Sequence, residues 1–129
     1  MASSAGPEVS DRNVVSVLVV EDAWHVAKAM KAVLEQLGMR VVGPTATTAE
    51  ARRLVAEVRP KMAIVDVNLK REMASGLIDE LHGQGVRVIV VTGYAAPPVS
   101  KESVAAFLQK PFSGAELITT VSAVVRSLH

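Results

Sequence analysis

The chain has 129 residues and a formal net charge of +1, with 14 basic and 13 acidic side chains mixed along its length. That size fits one domain, and the balanced charge has no basic stripe of the kind that grips nucleic acid. With no cysteine there is neither a disulfide framework nor a thiolate metal site, and the apolar runs at 14–20 and 86–91 are too short to cross a bilayer.

In chain order, residues 1–13 are rich in Ala, Ser, Gly and Pro without periodicity and read as a flexible lead-in to a domain spanning 14–129. They lack the charged start and apolar core of a secretory signal, so a cytoplasmic protein is expected. Val14 to Val20 is β-branched and almost wholly apolar, as a central strand must be, and leads directly into Glu21-Asp22. Val26, Ala27, Met30, Val33, Leu34 and Leu37 recur at helical spacing, which predicts a helix over 23–37 stopped by Gly38. A short strand at Met39 to Val42 and a turn at Gly43-Pro44 follow. Thr47 or Thr48 caps a second helix, with Ala51, Leu54, Val55 and Val58 on its apolar face and Pro60 as its stop.

Met62 to Val65 reads as a third buried strand with Asp66 at its end, and 67–75 as a polar, irregular loop. A short helix at 76–82 leads to a fourth strand, Val86 to Val91, ending at Thr92-Gly93-Tyr94. Pro97-Pro98 forbids regular structure, leaving room for about one helical turn before a fifth strand at Ala105 to Gln109. Ser113 caps a last helix with Leu117, Ile118, Val121, Val124, Val125 and Leu128 on its apolar face.

The repeated β-α order calls for a five-stranded parallel sheet, doubly wound with helices on both faces. In such sheets the functional crevice lies at the carboxyl ends of the strands. Those ends carry Glu21-Asp22, Asp66, Thr92 and Lys110. Three carboxylates meeting there repel one another and call for a cation, and Mg²⁺ suits an all-oxygen site. One of them, Asp66, could attack phosphorus to form an acyl phosphate. Lys110, the Thr92 hydroxyl and nearby N–H groups would then hold the phosphoryl oxygens, with Gly93 leaving them space.

At this point the sequence resembles the receiver domains of two-component response regulators. The matching stretches are V-L-V-V-E-D-A at 17–23, M-A-I-V-D-V-N-L at 62–69, V-I-V-V-T-G-Y at 88–94 and F-L-Q-K-P-F at 107–112. The resemblance covers about 14–128 and implies an α/β, flavodoxin-like (βα)5 fold with the fourth helix short or irregular. It implies Asp66 as phosphoacceptor, Mg²⁺ held by Asp22 and Asp66, by Glu21 through water and by the Asn68 backbone carbonyl, and Thr92 and Lys110 as the family's hydroxyl and amine. Lys110-Pro111 would be a cis peptide, and Phe107 would be the aromatic that turns inward when Thr92 moves. Trp24, His25 and Tyr94 lie near the expected partner surface, although Trp24 and His25 read equally well as ordinary semi-exposed helix.

Two features depart from the family's usual pattern. The stretch V-N-L-K-R-E-M-A-S-G after Asp66 lacks the frequent Met-Pro and Met-Asp-Gly sequence, and the segment from Thr92 to Phe107 is short. Together with T-G-Y they look like a stand-alone branch named for a Phe-Ala-Thr-Gly-type motif, with Val-Val here in place of Phe-Ala.

The function implied is Mg²⁺-dependent acceptance of a phosphoryl group from a histidine kinase or histidine phosphotransfer protein, reset by autodephosphorylation. Such a protein is not an enzyme acting on a separate substrate. Output would pass through a target protein, from a monomer or weak dimer without nucleic acid or membrane insertion, since the sequence ends soon after the last helix. The rival is a receiver-like interaction module that uses no phosphate. A flavin- or nucleotide-binding reading is disfavoured because Glu21-Asp22 would repel a phosphate after the first strand. Glu21 and Asp22 could also cap the first helix, Asp66 alone could cap the following loop, and Lys110 alone could be a solvated lysine.

Overall fold

A computed structural model of the chain describes residues 14–93 and 99–128. The expectations for the lead-in at 1–13, for Tyr94 and for Pro97-Pro98 fall outside those residues. Five strands, β1 (Ser16–Val20), β2 (Arg40–Thr45), β3 (Met62–Asp66), β6 (Arg87–Thr92) and β7 (Ala106–Gln109), form one parallel sheet in the order β2-β1-β3-β6-β7. The helices are α1 (Trp24–Gln36), α2 (Thr48–Val58), α3 (Ser75–Gly83) and α4 (Gly114–Ser127). In the fourth crossover, the described residues hold a single 3-10 turn at Lys101–Ser103, as the short spacing demands.

Alternation along the central strands sends their side chains to two cores. On one face Leu18, Val20, Ala63, Val65, Val88 and Val90 meet Ala51 and Val55 of α2 and Leu77, Ile78 and Leu81 of α3. On the other, Val17, Val19, Met62, Ile64, Ile89 and Val91 meet Met30 and Leu34 of α1 and Leu117, Val121 and Val124 of α4. Every residue of β3, the central strand, is buried, its terminal Asp66 included.

Five local expectations are corrected. Gly43-Pro44 is no turn: it lies inside β2, where Leu18 faces Val42 and Val20 faces Thr45, so two residues of β2 oppose Val19 alone. Because β2 is an edge strand, a proline at this bulge costs the sheet little. Its peptide bond is cis. The stretch after Asp66 is also ordered, as an antiparallel hairpin of β4 (Asn68–Leu69) and β5 (Glu72–Met73), with Leu69 and Ala74 packed into the core. Val58 is exposed, as it closes α2 just before Arg59 turns left-handed (φ 55°) ahead of Pro60. Ile118 of α4 is exposed as well, and Leu37 is an exposed cap residue after α1.

The bulge makes one substitution costly. Gly43 has φ +93°, and a Cβ there would lie 2.9 Å from the Thr45 amide nitrogen and 3.2 Å from the Val19 carbonyl oxygen, both backbone atoms. Gly43→Ala is expected to destabilise the fold by about 2–4 kcal/mol. By contrast, a Cβ at Gly76 meets nothing within 4 Å, so Gly76→Ala in urea unfolding is the matched control.

Candidate functional site

Parallel pairing brings the carboxyl ends of β1, β3, β6 and β7 to one edge. Glu21 continues β1 through a hydrogen bond from its N–H to the Thr45 carbonyl (2.9 Å), and Lys110 continues β7 through its N–H to the Thr92 carbonyl (2.8 Å). These two bonds carry Glu21 and Lys110 to the rim occupied by Asp66 and Thr92. Glu21, Asp66 and Thr92 are buried there. One carboxylate oxygen each from Glu21, Asp22 and Asp66 lies within 4.8 Å of the other two.

The Lys110 ammonium sits among them. Its Nζ donates to Asp66 Oδ2 at 2.8 Å and to Glu21 Oε2 at 3.4 Å. Glu21 Oε1 is 3.2 Å from the same nitrogen but is buried and accepts no hydrogen bond, so that contact is a charge contact at poor angle. Burial pushes the Glu21 carboxyl above its usual range and Asp66 pushes the same way, against the Ala23 N–H and Lys110. For Lys110, burial alone would lower the pKa, but the hydrogen bond to Asp66 and the charges of Glu21 and Asp66 outweigh it and raise it. One lysine against three carboxylates leaves net negative charge at a partly buried rim.

That imbalance tests whether Mg²⁺ suits the site. The donors are all hard oxygens, three carboxylates converge, and one buried oxygen has no hydrogen bond. Each matches what the ion seeks. Glu21, Asp22 and Asp66 would hold it.

The remaining expectations resolve one by one. The Lys110-Pro111 peptide is cis. Asn68 stands beside Asp66, donating its N–H to Asp66 Oδ1 at 3.0 Å, so Asp66 caps the loop that follows it. Gly93 is exposed, and a Cβ there would meet nothing within 4 Å, so the rim is open at that point. Phe107 is 38% exposed on β7, on the sheet face opposite buried Leu108. The helix-capping expectation for Glu21 and Asp22 is corrected: α1 receives no side-chain cap. Glu21 Oε2 instead accepts from the N–H of Ala23, the N-cap residue itself (3.1 Å), and Asp22 accepts the Lys70 N–H.

Trp24 is 70% exposed, with the Lys28 ammonium 5.0 Å from its ring centroid. His25 is exposed and lines a mostly apolar cavity of about 380 Å³ between α1 and α4, together with Met30, Lys110, Phe112 and Leu117. Sequence reasoning missed the hairpin residues Lys70 and Glu72, and nothing in their local pattern marks them.

The family model of the response regulator receiver domain matches residues 17–122. The phyllosphere-induced regulator PhyR of Methylorubrum extorquens is 30% identical over 128 residues, covering 95% of this chain. The chain spans only 48% of that relative's length. Among solved structures, the response regulator PhyR of Brucella abortus superposes with TM-score 0.77 at 24% identity, over 98% of this chain and 54% of that one. A CheY-like receiver domain from Methanospirillum hungatei superposes with TM-score 0.76 at 23% identity, over 88% and 95%.

Proposed function

This chain belongs to the response regulator receiver domain family of two-component and phosphorelay systems, and on that premise we propose that it accepts a phosphoryl group on Asp66 in a Mg²⁺-dependent reaction. The observation that carries the reading is the Lys110 ammonium bridging Asp66 (2.8 Å) and Glu21 (3.2 Å) inside a cluster of three carboxylates.

Asp66 is the nucleophile: one of its carboxylate oxygens bonds to phosphorus as the phosphorus–nitrogen bond of a phosphohistidine donor breaks, leaving an acyl phosphate and a histidine that takes up a proton. The Asn68 N–H fixes the carboxylate's orientation from Oδ1. Lys110 moves its hydrogen bond from Asp66 to a phosphoryl oxygen, so its charge stays paired throughout. Thr92 supplies a hydroxyl at the neighbouring strand end, and Gly93 leaves the rim open for the incoming group. Glu21, Asp22 and Asp66, with the Asn68 carbonyl as a further oxygen, would hold Mg²⁺, which would supply charge neutralisation for the phosphoryl oxygens.

The donor is a histidine kinase or histidine phosphotransfer protein in the cytoplasm. The receiver reacts on its own side chain and loses the phosphate by autodephosphorylation, rather than turning over a separate substrate. Phe107, half-exposed on the edge strand, packs inward as Thr92 closes on the phosphoryl group, and a target protein reads the new surface. No described helix is long and apolar enough to cross a membrane.

The test is Trp24 fluorescence during titration with Mg²⁺ and then beryllofluoride, which mimics the phosphoryl group. Trp24 is two residues from Asp22, so occupation of the rim is expected to change its emission saturably, with the beryllofluoride step absent without Mg²⁺ and in Asp66→Asn. An unchanged emission, together with no heat of binding in calorimetry, would put the phosphate-independent interaction module in first place.

A further inference from the structure

The β4–β5 hairpin begins two residues after Asp66, and its backbone touches two members of the carboxylate cluster. The Asn68 N–H binds Asp66 Oδ1, and the Lys70 N–H, at the turn, binds Asp22 Oδ2. On the returning strand, Glu72 faces Leu69 across the ladder. Its carboxylate receives the Thr48 N–H at 2.9 Å and the Thr48 hydroxyl at 2.6 Å.

Thr48 is the first residue of α2, so its N–H has no partner within the helix and sits at the positive end of the helix dipole. Thr47 uses its own hydroxyl for the Glu50 N–H (3.2 Å). Glu72 therefore caps a donor that the helix cannot satisfy from its own sequence. The donating end is itself braced: Arg52 donates to Thr48 Oγ1 (3.3 Å) and grips Glu80 of α3 with two bonds of 2.9 Å. With the Leu69 side chain buried in the core, the hairpin is fixed at its base, on its returning strand and at its turn.

The geometry points to Glu72 as a positioning residue for the carboxylate cluster: it clamps the hairpin to α2, and the clamp holds the Lys70 N–H against Asp22 so that this carboxylate stays turned towards Glu21 and Asp66. The inference rests on reading that cluster as the Mg²⁺ site. Hydrogen bonds from the surroundings that orient a ligand are worth about 10–100-fold in metal affinity, whereas a helix cap with no further role changes stability alone.

The experiment compares wild type, Glu72→Ala, Glu72→Gln and Thr47→Ala by two readouts: exchange of the Lys70 amide proton by NMR, and Mg²⁺ affinity by calorimetry. Thr47→Ala removes a different cap from the same helix without touching the hairpin. Glu72→Ala is expected to speed Lys70 exchange and weaken Mg²⁺ binding, each by about tenfold. Glu72→Gln should fall between, since its amide oxygen still accepts the Thr48 N–H, and it carries the test if the Ala variant folds poorly. Thr47→Ala should leave both readouts at the wild-type value. Wild-type Mg²⁺ affinity in both Glu72 variants, or Lys70 exchange that does not respond to them, overturns the positioning role alone. A wild-type chain that binds no Mg²⁺ overturns the metal reading and the positioning role with it.

Discussion

Asp66→Asn is expected to abolish phosphoryl uptake, from roughly one group per chain to background, because a neutral amide has no anionic oxygen to attack phosphorus. The substitution isolates chemistry from folding. An Asn side-chain oxygen still accepts the Asn68 N–H that Asp66 Oδ1 receives at 3.0 Å, so the local turn survives. Removing one negative charge beside buried Glu21 also relieves repulsion, since Asp66 helps push the Glu21 carboxyl upward. Against that gain stands the loss of the 2.8 Å bond from Lys110 to Asp66, so the metal-free variant should keep a cooperative unfolding transition close to that of wild type. Its Mg²⁺ affinity should fall by about tenfold or more, as one ligand charge lost is worth on the order of 1.4 kcal/mol or above. Transfer from a labelled phosphohistidine donor, read as incorporated label per chain, checks the claim. Label retained at wild-type stoichiometry would remove Asp66 as the acceptor.

Lys110→Met is expected to cost the metal-free protein roughly 2–3 kcal/mol, where a surface lysine would cost less than about 0.5. Its Nζ is the cation seated between buried Asp66 and Glu21, at 2.8 and 3.2 Å. Methionine keeps the apolar stem but leaves both carboxylates facing each other. Loss of one partner from a fully buried pair runs to about 3–5 kcal/mol. The lower figure applies because a third of the Lys110 side chain (33%) stays in contact with water. The pH dependence has a definite sign. Glu21 already titrates above its ordinary 4.5 because of burial, so the folded state binds its proton more tightly than the unfolded chain. Stability from that group is full below about 4.5 and is lost as pH rises through the raised value. Without Lys110 that value rises further, so the deficit of Lys110→Met should be largest near neutral pH and shrink on acidification. Millimolar Mg²⁺ should recover part of it. Urea unfolding at several pH values, with and without Mg²⁺, measures both trends, and a deficit independent of pH and Mg²⁺ would contradict the account.

Much of the fold was legible because its signals are local or topological. The runs 14–20, 62–65 and 86–91 are apolar on both faces, which only a central strand of a covered sheet tolerates. The order of elements then forces parallel pairing, and the carboxyl-end rule draws Glu21, Asp22, Asp66, Thr92 and Lys110 to one rim although they are scattered along the chain. The same local logic misread Gly43-Pro44, since the dipeptide that marks a turn also serves an edge-strand bulge. It overstated the apolar faces of α2 and α4 as well. Val58 and Ile118 keep the helical spacing but stay partly exposed, because periodicity reports which residues share a face and not how wide a neighbour covers it.

The sequence by itself thus determined the layer architecture, the strand-end cluster and the acidic, hydroxyl and amine groups that make the chemistry available. Only the tertiary structure decided how those groups are held. The hairpin's two-residue strands are too short to show alternation, and Glu72 reaches Thr48 across 24 residues of chain. Lys110 reaches Asp66 across 44 and the Lys70 N–H reaches Asp22 across 48. Partners so far apart are set by strand register and the path of a loop over the sheet edge, which no periodicity within a short window encodes.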